Sequence, residues 1–415
     1  MTGEGSDVFR AAAGHSRWAW LQAGDGGPQL ALLDDADVSL TFHAGRREVT
    51  RHADGRAEVV GDDVFRSLAE ELAAGAPGDR WYGYFGYAAR ADLPARADPA
   101  LPDAVWMRPS RVLPLAVPAA GTAPRGDEEP QAPTPGWYAD AFATVQEHLH
   151  AGNSYEVNLT YRTAVASGMR PLDAFARLCA LNPAPYAGFV HHDVEGARAF
   201  VLSSSPERYA RIDLAPGGAR TLEAKPIKGT TPRAAAAHDD EAAARHLATD
   251  PKFRAENLMI VDLLRHDLSQ VCEVGTVEVP SLMAVESYAS VHQLVSTVRG
   301  VLRPEVGSVA ALHALFPAGS MTGAPKLRTM QIIDEVEEEP RGAYAGAIGW
   351  LGADGRADLG VIIRSLLTDG RGRYVLGTGG GITVQSDVDE EYAESGWKAA
   401  RLLRALAPDA VATAR

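Results

Sequence analysis

Strand-like and helical runs share this chain without alternating strictly, and that arrangement is the strongest constraint on its fold. The runs that favour strands, rich in β-branched and aromatic residues, are YEVNLTYRTAV, ARAFVLSSS, YAGAIGWLG and LGVIIRSLL. Apolar residues recur at helical spacing in DAFARLCALN, DPKFRAENLMIVDLLRHDL and EEYAESGWKAARLLRAL. Because a parallel β/α repeat requires regular alternation, the sequence predicts an α+β protein with antiparallel sheet and flanking helices.

One segment, residues 117–136, is rich in proline, glycine and alanine and lacks apolar periodicity. This composition is typical of a flexible linker. The segment predicts a division of the 415-residue chain into an N-terminal region, 1–116, and a longer catalytic domain, 137–410, which carries most of the motifs.

The charge and the cysteine content exclude several classes of protein. A formal net charge of −14 argues against nucleic acid or an anionic membrane as the main partner. No apolar run reaches the length of a bilayer, and MTGEGSDVFR lacks a signal-peptide stretch, so a cytoplasmic location is predicted. Cys179 and Cys272 have neither CxxC spacing nor nearby histidine clusters, which argues against a disulfide framework or a zinc site.

The stretch TLEAKPIKGTTPR, residues 221–233, holds one lysine in a constrained backbone. Pro226 has a fixed φ and biases Lys225 toward an extended conformation, while Gly229 admits a backbone angle closed to other residues. Lys228 is therefore predicted to occupy one place. It is either a cation that pairs with a nearby acid or an amine positioned for chemistry, and Lys225 is the better candidate for a structural lysine.

A helix is predicted over 250–270, with Asp250 as the N-cap and a proline at the first helical position. Its spacing places Glu256 at the border of the buried stripe. A buried carboxylate needs a cation or a metal. A salt bridge to Arg254 or Arg265 is the alternative.

The last predicted helix and the segment before it also carry polar groups with two interpretations. Glu394 and Lys398 are four residues apart, which suits an ordinary surface pair. Three consecutive glycines, 379–381, leave backbone N–H groups that can approach an anion closely. No phosphate-loop motif is present, so a carboxylate is as good a candidate ligand as a phosphate.

Eight segments taken together resemble the chorismate-utilising enzymes, the family of the anthranilate, aminodeoxychorismate, isochorismate and salicylate synthases. In order, they are AGNSYEVNLTYR, SSSPERYARI, KPIKGTTPR, AENLMIVDLLRHDL, SVHQLVSTVRG, FPAGSMTGAPKLRTMQIIDE, RGAYAGAIGW and GTGGGITVQSDVDEEYAES. The N-terminal region resembles the family more loosely, through WYGYFGYAARADLP and LPDAVWM. The resemblance implies two antiparallel sheets packed on each other with helices outside, as in anthranilate synthase component I, and an active site where the sheets meet.

The resemblance also implies roles for individual residues. Glu256 and Glu394 match the family's Mg²⁺ ligands, and a hard cation with carboxylate ligands suits the ring carboxylate of chorismate. Glu207 matches the general acid that protonates the leaving hydroxyl. The residues matched to binding of the two substrate carboxylates are Ser320, where most relatives have threonine, with Tyr344, Arg364, Gly379, Gly380, Gly381 and Lys398.

Lys228 stands at the position that separates the subgroups of this family. The anthranilate, isochorismate and salicylate synthases typically read P-I-A-G-T or P-L-A-G-T, whereas aminodeoxychorismate synthases read P-I-K-G-T, as this chain does. A lysine in a confined, partly apolar site can have a lowered pKa and act as a nucleophile. The resemblance therefore implies conversion of chorismate and ammonia to 4-amino-4-deoxychorismate, with Lys228 adding to C2 of the ring before ammonia attacks C4.

Two departures from the family refine this prediction. Glu156 stands where isochorismate and salicylate synthases carry a lysine base and where other aminating members usually have glutamine, which disfavours water as the nucleophile. Gln293 stands where anthranilate synthase has a histidine, which favours a product that keeps its enolpyruvyl ether. Histidine replaces the more usual asparagine at His266, and we assign no function to that change.

The source of ammonia must lie elsewhere, because neither cysteine lies in the glycine-flanked turn of a triad amidotransferase. The sequence predicts ammonia from solution or from a separate glutamine amidotransferase subunit, and a separate aminodeoxychorismate lyase that yields 4-aminobenzoate. Its product would feed either folate or an aminated secondary metabolite. Two alternatives remain. One is anthranilate synthase component I, against which Lys228 and Gln293 count. The other is a non-catalytic, chorismate-binding scaffold.

Overall fold

The computed structural model describes residues 11–24, 26–115, 133–234, 236–288, 291–407 and 411–413. It confirms the α+β prediction: two antiparallel sheets carry helices around them. The α-helices of the described residues are α1 (Val64–Ala74), α2 (Gly136–His150), α3 (Pro171–Leu181), α4 (Ala237–Thr249), α5 (Pro251–Ser269), α6 (Ser308–Leu315), α7 (Lys326–Val336) and α8 (Val388–Leu406).

The first sheet has ten strands and the second has twelve. The strands of the first sheet are β1 (Arg17–Leu21), β2 (Gln29–Leu33), β8 (Arg111–Pro114), β9 (Glu156–Ala166), β10 (Tyr186–His192), β11 (Ala199–Ser205), β17 (Gly323–Ala324), β20 (Ser365–Thr368), β21 (Arg373–Ile382) and β22 (Val411–Thr413). The strands of the second sheet are β3 (Val38–His43), β4 (Glu48–Ala53), β5 (Arg56–Gly61), β6 (Arg80–Phe85), β7 (Ala104–Arg108), β12 (Arg208–Leu214), β13 (Arg220–Lys225), β14 (Ile227–Pro232), β15 (Glu278–Ser287), β16 (Val291–Val301), β18 (Ala347–Gly352) and β19 (Ala357–Val361).

Strands from both ends of the chain share each sheet. The first sheet runs in the order β17-β9-β21-β20-β11-β10-β1-β2-β8, with β22 beside β9. The second runs β14-β16-β13-β12-β19-β18-β6-β7-β3-β4-β5, with β15 beside β16. Most of the predicted linker lies outside the described residues, at 117–132, so the domain boundaries stay a prediction.

Side chains of a buried strand point alternately to the two faces of its sheet, so the two faces of the first sheet pack into two different apolar clusters. In β1, every residue of RWAWL is buried. Ala19 and Leu21 join the apolar cluster shared by the two sheets, whereas Trp18 and Trp20 join a second cluster with α3 and α8. Burying one such large side chain contributes about 1.5–3 kcal/mol to the free energy of folding. A strand that is apolar on both faces therefore stabilises the packing of the sheet against a layer on each side.

Helix α5 begins as its sequence predicts. The Asp250 carboxylate accepts hydrogen bonds from the backbone N–H groups of Lys252 (2.8 Å) and Phe253 (3.1 Å). Asn257 and Ile260 are fully buried on the predicted stripe. The helix therefore presents a known face to the sheets, which fixes the direction of its polar side chains.

One predicted strand is wrong. LGVIIRSLL is two strands in different sheets: β19 ends at Val361 in the second sheet, and β20 begins at Ser365 in the first. The chain turns between them at Arg364, whose φ of 53° lies in the left-handed region. The continuous apolar run hid this break, because both strands are buried.

The chain also passes between the sheets at the turn from β11 to β12, which contains Glu207. The two crossings are hydrogen-bonded to each other: the Val361 N–H donates to the Glu207 carbonyl (3.0 Å), and the Ser204 N–H donates to the Arg364 carbonyl (3.2 Å). Both predicted site residues therefore lie at one junction between the sheets.

Among the described residues, every helix is too short or too polar to traverse a bilayer.

Candidate active site

Glu207 is a buried carboxyl in the turn between β11 and β12. Ser320, in the 3₁₀ turn Gly319–Met321, donates its hydroxyl proton to the Glu207 Oε1 at 2.6 Å. Glu207 does not pair with Arg208, which instead contacts Glu223 (2.6 Å) and Asp358 (3.4 Å). An ion pair with the adjacent Arg208, the alternative role for this carboxyl, is therefore not formed.

The environment of Glu207 suits a carboxyl that holds a proton near neutral pH. Burial raises its pKa to about 7, against the opposing effects of the Ser320 hydrogen bond and the Lys228 charge. A group with that pKa is half protonated at pH 7 and can donate its proton to a leaving oxygen.

Lys228, in β14 of the second sheet, reaches the first sheet. Its ammonium forms a salt bridge with Oε1 of Glu156, the first residue of β9. Glu156 is 0% exposed and Lys228 is 8% exposed. The structure therefore brings together the lysine that the sequence singled out and the carboxylate that departs from the family pattern.

The expected depression of the Lys228 pKa is wrong for this structure. Burial would lower the pKa, but the charges of Glu156, Glu256 and Glu207 outweigh burial and raise it above the ordinary lysine value. Lys228 is therefore a cation before substrate binds.

The glycine segment lies inside β21 and makes room for the charged groups. A Cβ on Gly381 would overlap Oε1 of Glu156 and lie 2.9 Å from Nζ of Lys228. A Cβ on Gly380 would lie 3.0 Å from Oε2 of Glu391 and 3.7 Å from Nζ of Lys398. Only a strand without side chains here lets two sets of charged groups approach its backbone.

β21 is paired along this segment on one edge. Gly379, Gly380 and Gly381 pair with Thr160, Leu159 and Asn158 of β9. On the other edge β20 pairs only with Tyr374 and Val375, so the glycines have no partner strand there among the residues that the structure describes. Lys398 reaches this open edge and donates to the Gly379 carbonyl at 2.9 Å.

Glu394 pairs with Lys398 at 2.8 Å, as the i,i+4 spacing predicted, and its side chain is 48% exposed. The pKa of Glu394 is lowered, chiefly by the Lys398 charge. This carboxylate is ionised and accessible, as a ligand to a cation would be.

Glu256 has no hydrogen bond or ion pair among the residues the structure describes, because Arg254 donates to the Ala248 carbonyl and Arg265 pairs with Asp262. Its pKa is raised to about 7, by burial first and also by the charges of Glu156 and Glu391, against the opposing charges of Lys228 and Lys252. The alternative of a salt bridge to Arg254 or Arg265 is thereby wrong.

Glu256 and Glu394 carry the carboxylate oxygens that magnesium prefers. Among the described residues Glu256 is a half-buried carboxylate without a partner, and both glutamates act through their charges on Lys252. No group of three or more His, Cys, Asp or Glu side chains suited to a metal occurs in the described part of the chain. Mg²⁺ is commonly bound by one or two carboxylates together with water and substrate oxygens, so two glutamates meet its requirement.

Arg364 supplies a half-buried cation with no carboxylate partner among the described residues. Its guanidinium carbon lies 5.3 Å from the centroid of the Trp397 ring. Burial lowers its pKa to about 10, yet the group stays charged at neutral pH. Tyr344 belongs to the same cluster of charges, and its ring occupies the space that a Cβ on Gly377 would take.

The sequence missed three features of this site. Glu391 is only 3% exposed, and it accepts hydrogen bonds from Lys252 (3.0 Å) and Ser386 (2.7 Å). The Trp397 ring beneath Arg364 and the pairing of Glu156 with Lys228 were also unforeseen. Only Glu391 had a local signal, since it lies one helical turn before Glu394.

The fold and the site agree with the comparison to known families. A family model described as chorismate binding enzyme matches residues 20–404. This chain therefore belongs to the chorismate binding enzyme family. The polar junction between the two sheets is the family's candidate active site in this chain.

Relatives of known name include aminodeoxychorismate synthases and an anthranilate synthase. An "Aminodeoxychorismate synthase" from Streptomyces griseus is 49% identical over 269 residues, which are 65% of this chain and 36% of that protein. The "Aminodeoxychorismate synthase component 1" of Escherichia coli K12 is 41% identical over 269 residues, 65% of this chain and 57% of that protein. The matched stretches thus span between about a third and a little over half of these relatives.

Solved structures support the same fold. Anthranilate synthase component I from Streptococcus pneumoniae is 25% identical, with a TM-score of 0.72 over 91% of this chain and 93% of that one. A Bacillus anthracis protein described as a putative isochorismate synthase is 18% identical, with a TM-score of 0.71 over 96% and 99% of the two chains. The prediction of an anthranilate synthase component I-like fold is confirmed.

Proposed function

We propose that this protein aminates chorismate at C4, as the chorismate-binding component of an aminodeoxychorismate synthase. The observation that carries the proposal is the position of Lys228, whose amine is buried at the junction of the sheets beside Glu207 and Glu256. Lys228 is paired with Glu156 in the free protein, and the further carboxyls of Glu207 and Glu256 around it support a role in chemistry beyond that ion pair. The names of the relatives support the same branch.

In the proposed reaction, the neutral amine of Lys228 bonds to C2 of the ring and the ring double bond shifts. The C4–O bond breaks as Glu207 donates its proton, and the hydroxyl leaves as water. Ammonia then bonds to C4, the C2–N bond breaks, and Lys228 is released. Two successive displacements place the amine at C4 with net retention.

The remaining polar groups would bind the two carboxylates of the substrate. Arg364 suits a bidentate contact, since its guanidinium is a planar fork without a carboxylate partner among the described residues. The other proposed contacts are Ser320, Tyr344, Lys398 and the backbone of Gly379, Gly380 and Gly381. Glu256 and Glu394 would hold Mg²⁺, which would supply positive charge for the ring carboxylate.

Ammonia would come from solution or from a separate glutamine amidotransferase. The name "component 1" of the Escherichia coli relative supports a partner chain of some kind. A separate aminodeoxychorismate lyase would then release 4-aminobenzoate, a precursor of folate. The cytoplasmic location stays a prediction from the sequence.

The test supplies the protein with chorismate, Mg²⁺ and an ammonium salt and identifies the product by mass spectrometry. We expect a non-aromatic amino acid that becomes 4-aminobenzoate only when the lyase is added. Anthranilate and pyruvate without a second enzyme would instead support the alternative of anthranilate synthase. That alternative has its own support, a Haloarcula marismortui "Anthranilate synthase component 1 1" that is 40% identical over 269 residues, 65% of this chain and 53% of that protein.

If chorismate is not turned over under any of these conditions, both synthase activities are contradicted. The remaining alternative is then a non-catalytic, chorismate-binding scaffold. The folded state of the protein is checked in parallel by circular dichroism, so that an unfolded sample is not mistaken for an inactive one.

A further inference from the structure

The proposed function requires Lys228 to lose a proton before it attacks the ring, and the inference below rests on that function. A protonated amine has no lone pair with which to form a bond. The carboxylates around Lys228 keep it protonated in the free protein. The site must therefore contain a group that accepts this proton.

Contact geometry selects one carboxylate. Among the described residues, Glu156 is the only one with a hydrogen bond or an ion pair to Nζ of Lys228. Glu207 accepts a hydrogen bond from Ser320 and must hold a proton for the leaving hydroxyl. Glu256 acts on Lys228 through its charge, without a hydrogen bond to it.

The two carboxylate oxygens of Glu156 have different surroundings. Its Oε1 contacts the Lys228 ammonium. Its Oε2 is buried and has no hydrogen-bond partner among the described residues. That oxygen is therefore open to a proton received from Lys228.

Position along the chain strengthens this choice. Glu156 is anchored at the start of β9, where Ala324 of β17 pairs with it. Gly381 leaves the space in which the two charged groups meet, as a Cβ there would overlap Glu156 Oε1. The backbone is therefore shaped around this contact.

We propose that Glu156 is the proton acceptor that converts the Lys228 ammonium to the nucleophilic amine. The proton passes from Nζ to the Glu156 carboxylate, which leaves a neutral amine and a neutral carboxyl. When the C2–N bond breaks, Lys228 leaves as a neutral amine and recovers the same proton from Glu156. The proton released as ammonia bonds to C4 returns to Glu207, so one cycle converts chorismate and ammonia to the amino product and water.

Other charged groups face this pair and belong in the test. Glu207 and Glu256 act on Lys228 from the β11–β12 turn and from α5. Glu394 acts on it from α8, and Glu394 is itself influenced by Lys252 and Lys398. A pH profile of a Glu156 variant must therefore be compared with the wild type and with a variant outside this cluster.

The experiment compares Glu156→Gln with Glu286→Gln in the ammonium-dependent reaction. Glu286 pairs with Lys225 at 2.8 Å on the neighbouring part of the same sheet, so its variant also removes the acid from a lysine pair. We expect Glu156→Gln to lower kcat about 100-fold or more, the scale of general acid–base catalysis, with a smaller effect on KM. We expect Glu286→Gln to leave both unchanged.

The pH dependence separates proton transfer from a structural effect. Ammonium also loses its proton as the pH rises, so the quantity measured is the ratio of the Glu156→Gln rate to the wild-type rate at each pH. Without an internal acceptor, the amine must lose its proton to solvent. The ratio should therefore climb with pH, by about tenfold per pH unit at most.

A second variant and a second readout keep the test decisive. Glu156→Asp retains a proton acceptor, so its rate should fall less than that of Glu156→Gln, and its ratio to wild type should not climb with pH. Intact-mass spectrometry without ammonia should show the chorismate adduct on Lys228 forming more slowly in Glu156→Gln than in the wild type.

The failures are distinguishable. Equal losses of kcat in Glu156→Gln and Glu156→Asp, with a ratio to the wild-type rate that does not change with pH, would overturn the role of Glu156 as a proton acceptor. An unchanged rate in Glu156→Gln would overturn it as well. In both cases the proposed function would stand. A wild type that makes no C4-aminated product would instead contradict the proposed function itself.

Discussion

Two lysines three residues apart, Lys225 and Lys228, each pair with a glutamate but lie in different environments. Lys225 ends β13 and contacts Glu286 at 2.8 Å, with both side chains about a third exposed, 29% and 33%. Lys228 lies in β14 and contacts Glu156, with 9% and 1% of the two side chains exposed. The first pair faces solvent, whereas the second joins the two sheets at their junction.

The difference shows which pair is suited to chemistry. A half-exposed ion pair contributes about 0–1 kcal/mol and is screened by salt. A buried ion pair costs desolvation energy that its attraction offsets only with good geometry, so a protein stabilised by packing alone has little reason to keep one. The buried pair also has neighbours that the exposed pair lacks, namely Glu207 and Glu256.

Removal of each lysine in turn should give the largest difference between the two pairs. Lys228→Ala should lower C4 amination by more than ~10⁴-fold, the scale seen when a covalent nucleophile is lost, or divert the amine to C2. Lys225→Ala should change kcat less than about twofold, because its pair is exposed. Product mass and regiochemistry measure both. An unchanged rate and product in Lys228→Ala would contradict the assignment of Lys228 as the nucleophile.

Glu207 lies near the buried lysine, Lys228. Its replacement should therefore affect the chemistry at Lys228 and leave the exposed pair of Lys225 and Glu286 unchanged. Glu207→Gln should lower kcat about 10²–10⁴-fold at pH 6, as expected for a general acid. With a pKa of about 7, Glu207 loses its proton above that pH, so the ratio of wild-type to variant rate should shrink as the pH rises. A ratio that is constant from pH 6 to 9 would contradict the assignment.

The same carboxyl should affect stability with a defined sign. Its pKa is raised from 4.5 in the unfolded chain to about 7, so the folded protein binds the proton more tightly. Its stabilising contribution is complete below about pH 4.5 and is lost as the pH rises through 7. Glu207→Gln should therefore unfold at a higher temperature than the wild type at pH 8, a difference that calorimetry measures.

Gly381→Ala tests whether the glycine strand makes room for the buried pair. The added Cβ would overlap Glu156 Oε1, so the pair must shift, and a displacement of about 1 Å can cost about 10²-fold in rate. Gly396→Ala is the matched control, since no atom lies within 4 Å of its added Cβ and it lies in α8. Gly396→Ala should keep its activity, and its free energy of unfolding should rise by about 0.5–1 kcal/mol. Equal activity in the two variants would contradict the packing argument.

The smallest effect concerns magnesium. Saturating Mg²⁺ should raise the Tm of the wild type by about 2–5 °C and that of Glu256→Gln much less, with Glu286→Gln behaving as wild type. Without metal at pH 8, Glu256→Gln should exceed the wild type in Tm, because burial raises the Glu256 pKa to about 7 and its charged form is costly. Equal responses to Mg²⁺ in all three proteins would contradict Glu256 as a ligand.

Local pattern explains which parts of this structure the sequence could predict. The α+β class follows from strand and helix runs that do not alternate. The start of α5 follows from Asp250 and Pro251, whose effects lie within one helical turn. The residues of the candidate site followed from family motifs, which name residues without locating them relative to one another.

The amino-acid sequence by itself determined the class of fold, the helix caps and the presence of one lysine in a constrained segment, because these depend on neighbours along the chain. Only the tertiary structure decided that LGVIIRSLL breaks at Arg364, since the apolar run of two buried strands reads as one. It also decided that Glu156 pairs with Lys228, 72 residues away, across the junction of the two sheets. Contacts between distant segments depend on how the sheets pack, and no local periodicity encodes that packing.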